Sequence, residues 1–174
     1  MTPRATPRIV FCIVSIVRKQ KIYLETTLFN YFFDKDRDAH ADTVKLFKEI
    51  AAGKYEAFTS GAVIAELARA PAEKSAAMLA LLNEYQIAIL PVGEDADKLA
   101  DIYVAERIIP PKYRTDGVHI AVASVNGLDF VISLNFQHIV KLKTEQMTGA
   151  ANILNGYKPI QIISPMEVVE NENT

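Results

Sequence analysis

Short apolar runs alternate with stretches of helical spacing along most of the chain. Lys21 to Leu24 reads as a first strand, and the dense set Leu28, Phe29, Tyr31, Phe32 and Phe33 beyond Thr26 as a buried first helix. From Asp38 to Ala52, apolar positions at Val44, Leu46, Phe47 and Ile50 predict a second helix that Gly53 ends. Tyr55 to Thr59 is a second strand, followed by a helix through Glu66 to Arg69 that breaks at Pro71. Ala72 to Tyr85, rich in Ala, Leu, Lys and Glu, reads as helix on propensity. Ile87 to Val92 is a strand and Glu94 to Arg107 another helix. Pro110 and Pro111 force a connection, after which Thr115 offers an N-cap for a helix over Asp116 to Val125. Phe130 to Leu134 and Ile160 to Ser164 are the last strands, with a polar helical stretch between them. This alternation predicts an α/β fold of three layers, α/β/α, around a central, mainly parallel sheet of about five strands.

A length of 174 residues, half of them hydrophobic, suits one domain with a sizeable core. The formal net charge of −2 advertises no global basic field, although a local basic rim around an acidic site would not register in that total. Cys12 is the only cysteine, which excludes an intrachain disulfide and a cysteine-based zinc cluster and is compatible with a reducing, cytoplasmic setting. Near the N-terminus an apolar run, Ile9 to Val17, lies between Arg4 and Arg8 on one side and Arg18, Lys19 and Lys21 on the other. Its nine residues fall short of the about 20 a membrane-spanning helix needs, and a basic cluster follows where a signal peptide carries its cleavage site. The expected organisation is an extension over residues 1–20 with no assigned role, a domain over 21–166 and a frayed acidic tail over 167–174. No membrane association is expected, and neither a dinucleotide-binding nor a P-loop glycine motif occurs.

The chemistry gathers where the strands should end. Glu25 follows the first strand, Glu66 lies just beyond the second, Asp116 opens the helix before the fourth, and Asn135 and His138 follow the fourth. Each acid has a plain reading taken singly: a helix-start acid with a capping threonine for Glu25, a surface glutamate for Glu66, a helix-dipole partner for Asp116. His119, one turn beyond Asp116, reads best as a packed neutral histidine. Acids recurring at strand-to-helix junctions, however, point into one crevice, where open α/β sheets hold ligands. Carboxylates crowded there repel unless a cation or proton sits among them, so the pattern suggests a divalent-metal site.

The segment Lys21 to Tyr31 resembles the opening of PIN-domain proteins, in which a strand delivers an acid, then Thr or Ser, then an apolar helix. Ser60 six residues before Glu66 is similar to that family's second element, Asp116 opening an Ala-rich helix to its third, and Ser133 with Asn135 and His138 to its fourth. The four occur in order from Lys21 to Ser164. The resemblance implies a PIN-like fold and a Mg²⁺- or Mn²⁺-dependent ribonuclease, often the toxin of a toxin–antitoxin pair, with RNA as substrate, an antitoxin protein as partner and a homodimer as an option. It implies Glu25, Glu66 and Asp116 as metal ligands that carry catalysis, with Thr26, Ser60, Ser133 and Asn135 supporting them or binding water. Lys112, Arg114, Lys141 and Lys143 stand near the expected site edges as candidate phosphate contacts.

Two positions depart from the family pattern. The first acid is usually aspartate, and Glu25 is longer by one methylene; the place of a fourth acid falls at Asn135 or His138. Three acids still bind one hard cation with waters completing its shell. The competing readings are a PIN-like module that binds RNA or protein without cleaving, a receiver-type signalling domain, and a generic α/β domain with chance acids. The receiver reading wants an aspartate at the end of the middle strand, where the chain has Leu90, Pro91, Val92 and Gly93.

Overall fold

The computed structural model describes residues 18–169. Five parallel strands form one sheet: β1 (Gln20–Leu24), β2 (Tyr55–Ser60), β3 (Ala88–Leu90), β4 (Phe130–Ile132) and β5 (Gln161–Ile163), in the order β3-β2-β1-β4-β5. Helices α1 (Thr26–Phe33), α2 (His40–Ala51), α3 (Gly61–Leu67), α4 (Ala72–Glu84), α5 (Glu94–Ala105), α6 (Arg114–Val125), α7 (Leu142–Leu154) and the short α8 (Pro165–Val168) complete the expected three-layer α/β/α arrangement. None of these helices is long and apolar enough to cross a membrane.

Sheet order follows from burial. Ile22, Tyr23 and Leu24 are fully buried, as a central strand covered on both faces requires. β1 pairs with β2 through Ile22 opposite Ala57 and with β4 through Leu24 opposite Ile132. From β1 the chain first builds outward through β2 and β3, then returns to lay β4 on the other side of β1. The direction of building thus reverses between β1 and β4, and this switch point leaves a crevice at the carboxyl ends of those two strands.

Several predicted boundaries shift by identifiable causes. Gly53, at φ +75°, ends α2 as expected, its N–H donating to Ile50 O at 2.8 Å. Two residues other than glycine do the same elsewhere. Arg107 (φ 56°) ends α5 at Ala105 and Gln86 (φ 52°) ends α4 at Glu84, each followed by an N–H that reaches back to a carbonyl five residues earlier. Thr115 is not an N-cap. A 3₁₀ turn over Pro111–Tyr113 runs directly into α6, so Thr115 sits exposed in its first turn and Asp116 occupies the third helical position. The tail expected beyond residue 166 is in part packed: Glu167 and Ser164 form a capping box, Tyr55 donates to Val168 O at 2.9 Å, and Val169 is buried. Residues 1–17, with the apolar run and Cys12, and residues 170–174 lie outside the described residues.

Helix α6 carries two of the site residues and is clamped from behind. Tyr103 of α5 donates to Asn152 Oδ1 of α7, and Asn152 Nδ2 donates to Ser124 Oγ of α6 at 2.9 Å. All three side chains are buried, and burial, outweighing the hydrogen bonds, pushes the Tyr103 phenol up to about 12. Buried polar groups without partners cost about 1–3 kcal/mol each. Asn152→Ala takes the acceptor from the Tyr103 hydroxyl and a donor from Ser124 Oγ, which keeps its own bond to Ile120 O at 2.8 Å, and is expected to destabilise the fold by about 2–4 kcal/mol. Thermal denaturation followed by circular dichroism should register this as a loss of roughly 5–15 °C; an unchanged melting temperature would show that the clamp is not structural.

Candidate metal centre

Glu25 sits at the end of β1 as the N-cap of α1. Its Oε2 accepts three hydrogen bonds: from the Thr27 N–H at 3.2 Å, the Thr27 hydroxyl at 2.6 Å and the Ser133 hydroxyl at 2.8 Å. The carboxylate is thus fastened to the start of its own helix and to the loop after β4. Thr27 Oγ1 in turn accepts from the Leu134 N–H, and Ser133 Oγ from the Asn135 N–H, both at 2.9 Å. No bond falls on Oε1 among the described residues, leaving that oxygen free to act as a ligand.

Glu66 reaches the same crevice from α3. Thr26 donates its hydroxyl to Glu66 Oε2, and His119 Nε2 lies 3.3 Å from the same oxygen. That approach is an ion-pair distance, yet its direction does not complete a hydrogen bond, and Nε2 has no other partner. Behind the imidazole, His119 Nδ1 is 2.9 Å from the Tyr23 hydroxyl, which is 2.6 Å from Ser60 Oγ. A chain of contacts therefore runs from Ser60 through Tyr23 and His119 to Glu66 and Thr26.

Ligand atoms of Glu25, Glu66 and His119 all lie within 4.8 Å of one another. Asp116 is not in that tightest set but shares its field. Its Oδ2 is buried without a hydrogen-bond partner, and burial pushes its carboxyl above the usual aspartate range; the charges of Glu25 and Glu66 add to the rise, while His119 and His138 oppose it. His119 is raised as well: burial works against its charge, but the closeness of Glu66, Glu25 and Asp116 outweighs burial. Burial also works to raise Glu66, and His119 with the Thr26 hydroxyl prevails, holding it below the usual glutamate range. The orphaned Asp116 oxygen beside the carboxylates of Glu25 and Glu66 completes a donor set that a cation would satisfy.

The remaining expected residues divide. Ser133 binds Glu25 directly, whereas Ser60 touches neither acid and acts through Tyr23. Thr26 serves Glu66, the acid across the crevice, and Thr27 serves Glu25. Asn135 shapes the loop, its Oδ1 accepting from the His138 N–H at 3.1 Å. Arg114 is paired with Asp97 at 3.1 Å and Asp101 at 2.7 Å. Lys112 lies over the Tyr113 ring, 4.6 Å from its centroid, and Lys141 and Lys143 are exposed. Tyr23 and the part played by His119 are not evident in the sequence. A tyrosine inside an apolar strand gives no hint of its partner, and His119 declares itself only by sharing a helix face with Asp116.

The profile of the PIN domain matches residues 22–143. No curated protein sequence matches the chain. Among solved structures, the chain is similar to VapBC2 from Rickettsia felis, determined bound to a DNA fragment from their promoter, with a TM-score of 0.52 and 12% identity over 83% of this chain and 98% of that one. It is also similar to VapC20 of Mycobacterium tuberculosis, described as a sarcin–ricin loop cleaving toxin, with a TM-score of 0.48 and 17% identity over 63% of this chain and 86% of that one. With the profile spanning more than half of its length, from β1 to the start of α7, the chain belongs to the PIN-domain family.

Proposed function

We propose that this protein is a divalent-metal-dependent ribonuclease that hydrolyses RNA phosphodiester bonds, and the toxin of a toxin–antitoxin pair working in the cytoplasm. The observation that carries the reading is the convergence of Glu25, Glu66 and His119 within 4.8 Å beside the orphaned Asp116 carboxylate, at the switch point of a PIN-domain sheet. Glu25, Glu66 and Asp116 are the ligands in this reading, because carboxylate oxygens suit Mg²⁺ and Mn²⁺ whereas imidazole suits softer ions. His119 then orients Glu66, as does Thr26 from the other side. When bound, the ion lowers the pKa of a water and offsets charge on the phosphate. Thr27 and Ser133 hold Glu25 in place, and Lys112, Lys141 and Lys143 meet flanking phosphates. Arg114, committed to Asp97 and Asp101, has no part in the proposal. The cognate antitoxin rests on the family and on the fold likeness to VapBC2.

Purified protein incubated with structured RNA is expected to cleave it in Mn²⁺ or Mg²⁺ and not in EDTA. Asp116→Asn and Glu66→Gln should each lower the rate at least about 100-fold. Mn²⁺ should also raise the melting temperature of the wild type and of neither variant, since a ligand that binds only the folded state stabilises it. Metal stabilisation without cleavage would replace the enzyme with a non-cleaving PIN module, consistent with Glu25 and the missing fourth acid. Neither effect would remove the site altogether.

The crowded charges also set a pH dependence for the metal-free protein. His119, raised in the folded state, contributes stability below its unfolded value of 6.5 that is lost as pH rises through its folded value. Asp116 acts in the same sense, because its raised value makes the folded state prefer the neutral acid. In EDTA the melting temperature should therefore fall as the pH rises above 6.5, and Mn²⁺ should cancel most of that fall. A flat or rising profile in EDTA would contradict the charge crowding.

A further inference from the structure

The loop after β4, which starts at the crevice with Ser133, holds one large apolar side chain out into solvent. Phe136 is 57% exposed and has no ring partner among the described residues. A lone exposed apolar side chain is ordinary, but this one stands on a rigid base. Its own N–H donates to Leu134 O at 3.1 Å, Asn135 O accepts from Ile139 N–H at 3.0 Å and Val140 N–H at 2.9 Å, and Asn135 Oδ1 accepts from His138 N–H. The same loop begins at Ser133, which binds Glu25. Two residues beyond Phe136, the His138 imidazole stacks on the Tyr113 ring, with centroids 3.6 Å apart and planes at 26°. Tyr113 comes from the turn that leads into α6 and so stands three residues before Asp116. Lys112 brings a cation to the same ring.

We infer that Phe136 and the stacked pair His138 and Tyr113 form a nucleobase-stacking platform beside the acidic crevice, so that an unpaired base of the substrate is held there. This deepens the ribonuclease reading and rests on it. Tyr113 is already contacted by His138 and by Lys112, so the surfaces offered to a ligand are the outer face of the imidazole and the Phe136 ring. Flat rings on a preset backbone lose little freedom when a base lands on them. Lys112, with Lys141 and Lys143 further along the chain, supplies the positive charge that a backbone carrying such a base requires. A base inside a duplex is already stacked on both faces and cannot use the platform, whereas a base in a loop or single strand can.

The test is binding of a short single-stranded RNA carrying 2-aminopurine, followed by its fluorescence in EDTA at low salt so that no cleavage intervenes, alongside KM and kcat in Mn²⁺. Phe136→Ala should weaken binding and raise KM about tenfold, the range expected for losing one stacked base, with kcat within about twofold. Phe136→Trp should restore both, and a blunt-ended, fully paired duplex should bind wild type and variants alike. Circular dichroism melts of the variants separate misfolding from loss of the platform. Unchanged RNA affinity and KM in Phe136→Ala would overturn the inference, as would an altered oligomeric state on size exclusion with RNA affinity intact, which would make Phe136 a protein contact. Phe136-dependent binding with no cleavage in Mn²⁺ would sustain the platform and overturn the nuclease; no RNA binding at all would overturn the platform.

Discussion

Mutual repulsion among carboxylates at the ends of parallel strands is the constraint around which this structure is organised. Glu25, Glu66 and Asp116 share one crevice with a single fully buried histidine. In water such charges would separate; here the fold forbids it, because Glu25 follows the end of β1, Asp116 lies in the first turn of α6 and Glu66 lies in the last turn of α3, elements fixed by the core. The side chains that surround them are therefore mostly donors. Thr26 to Glu66 and Thr27 and Ser133 to Glu25 each place an O–H against a carboxylate oxygen. Two adjacent threonines in the first turn of α1 face different acids, so that turn ties α3 to the loop after β4.

This arrangement makes the core and the site a single problem. Tyr23 is fully buried in the central strand, where a phenol would be costly without partners. Its hydroxyl meets both Ser60 and His119, which satisfies the tyrosine and orients the imidazole in one contact set. An imidazolium donating from Nδ1 to Tyr23 leaves Tyr23 free to donate to Ser60, so a charged His119 is accommodated on its inner side. On the far side of α6, Asn152 joins Tyr103 and Ser124 and fixes the helix that carries Asp116 and His119. The acids are thus placed from both faces of α6.

The strands, the helices and three acids were legible because each leaves a local mark. Apolar runs in β1 and β4 end at Glu25 and at Ser133 to Asn135, and the period of α6 begins beside Asp116. Helix ends were less legible where the left-handed residue was not glycine, as at Gln86 and Arg107, since neither side chain advertises that conformation. Thr115 failed as a cap for a related reason: the Pro111 turn winds into α6 and supplies the helix start that a capping side chain otherwise marks. The role of His119 was hidden because it depends on Tyr23, 96 positions away in sequence, and on Glu66 from a third element. One basic residue has partners that the sequence did not reveal. Arg114 borders the site in sequence, yet α5 presents Asp97 and Asp101 one turn apart on the face it packs against, and the guanidinium goes there.

The glutamate at position 25, where the family pattern has aspartate, follows from the same constraint. An N-cap must fold its carboxylate back to the first-turn N–H groups, which suits a short side chain better than a long one. Glu25 nonetheless caps α1 through Thr27. Folding back shortens the effective reach of the longer chain, and Thr27 and Ser133 clamp the oxygen that results. The position of the carboxylate is then set by those donors, and Oε1 accepts no hydrogen bond among the described residues. On this account the length of residue 25 matters less than the two hydroxyls that hold it, and the place where an added acid would sit is given instead to Asn135, whose oxygen closes the loop that carries Ser133.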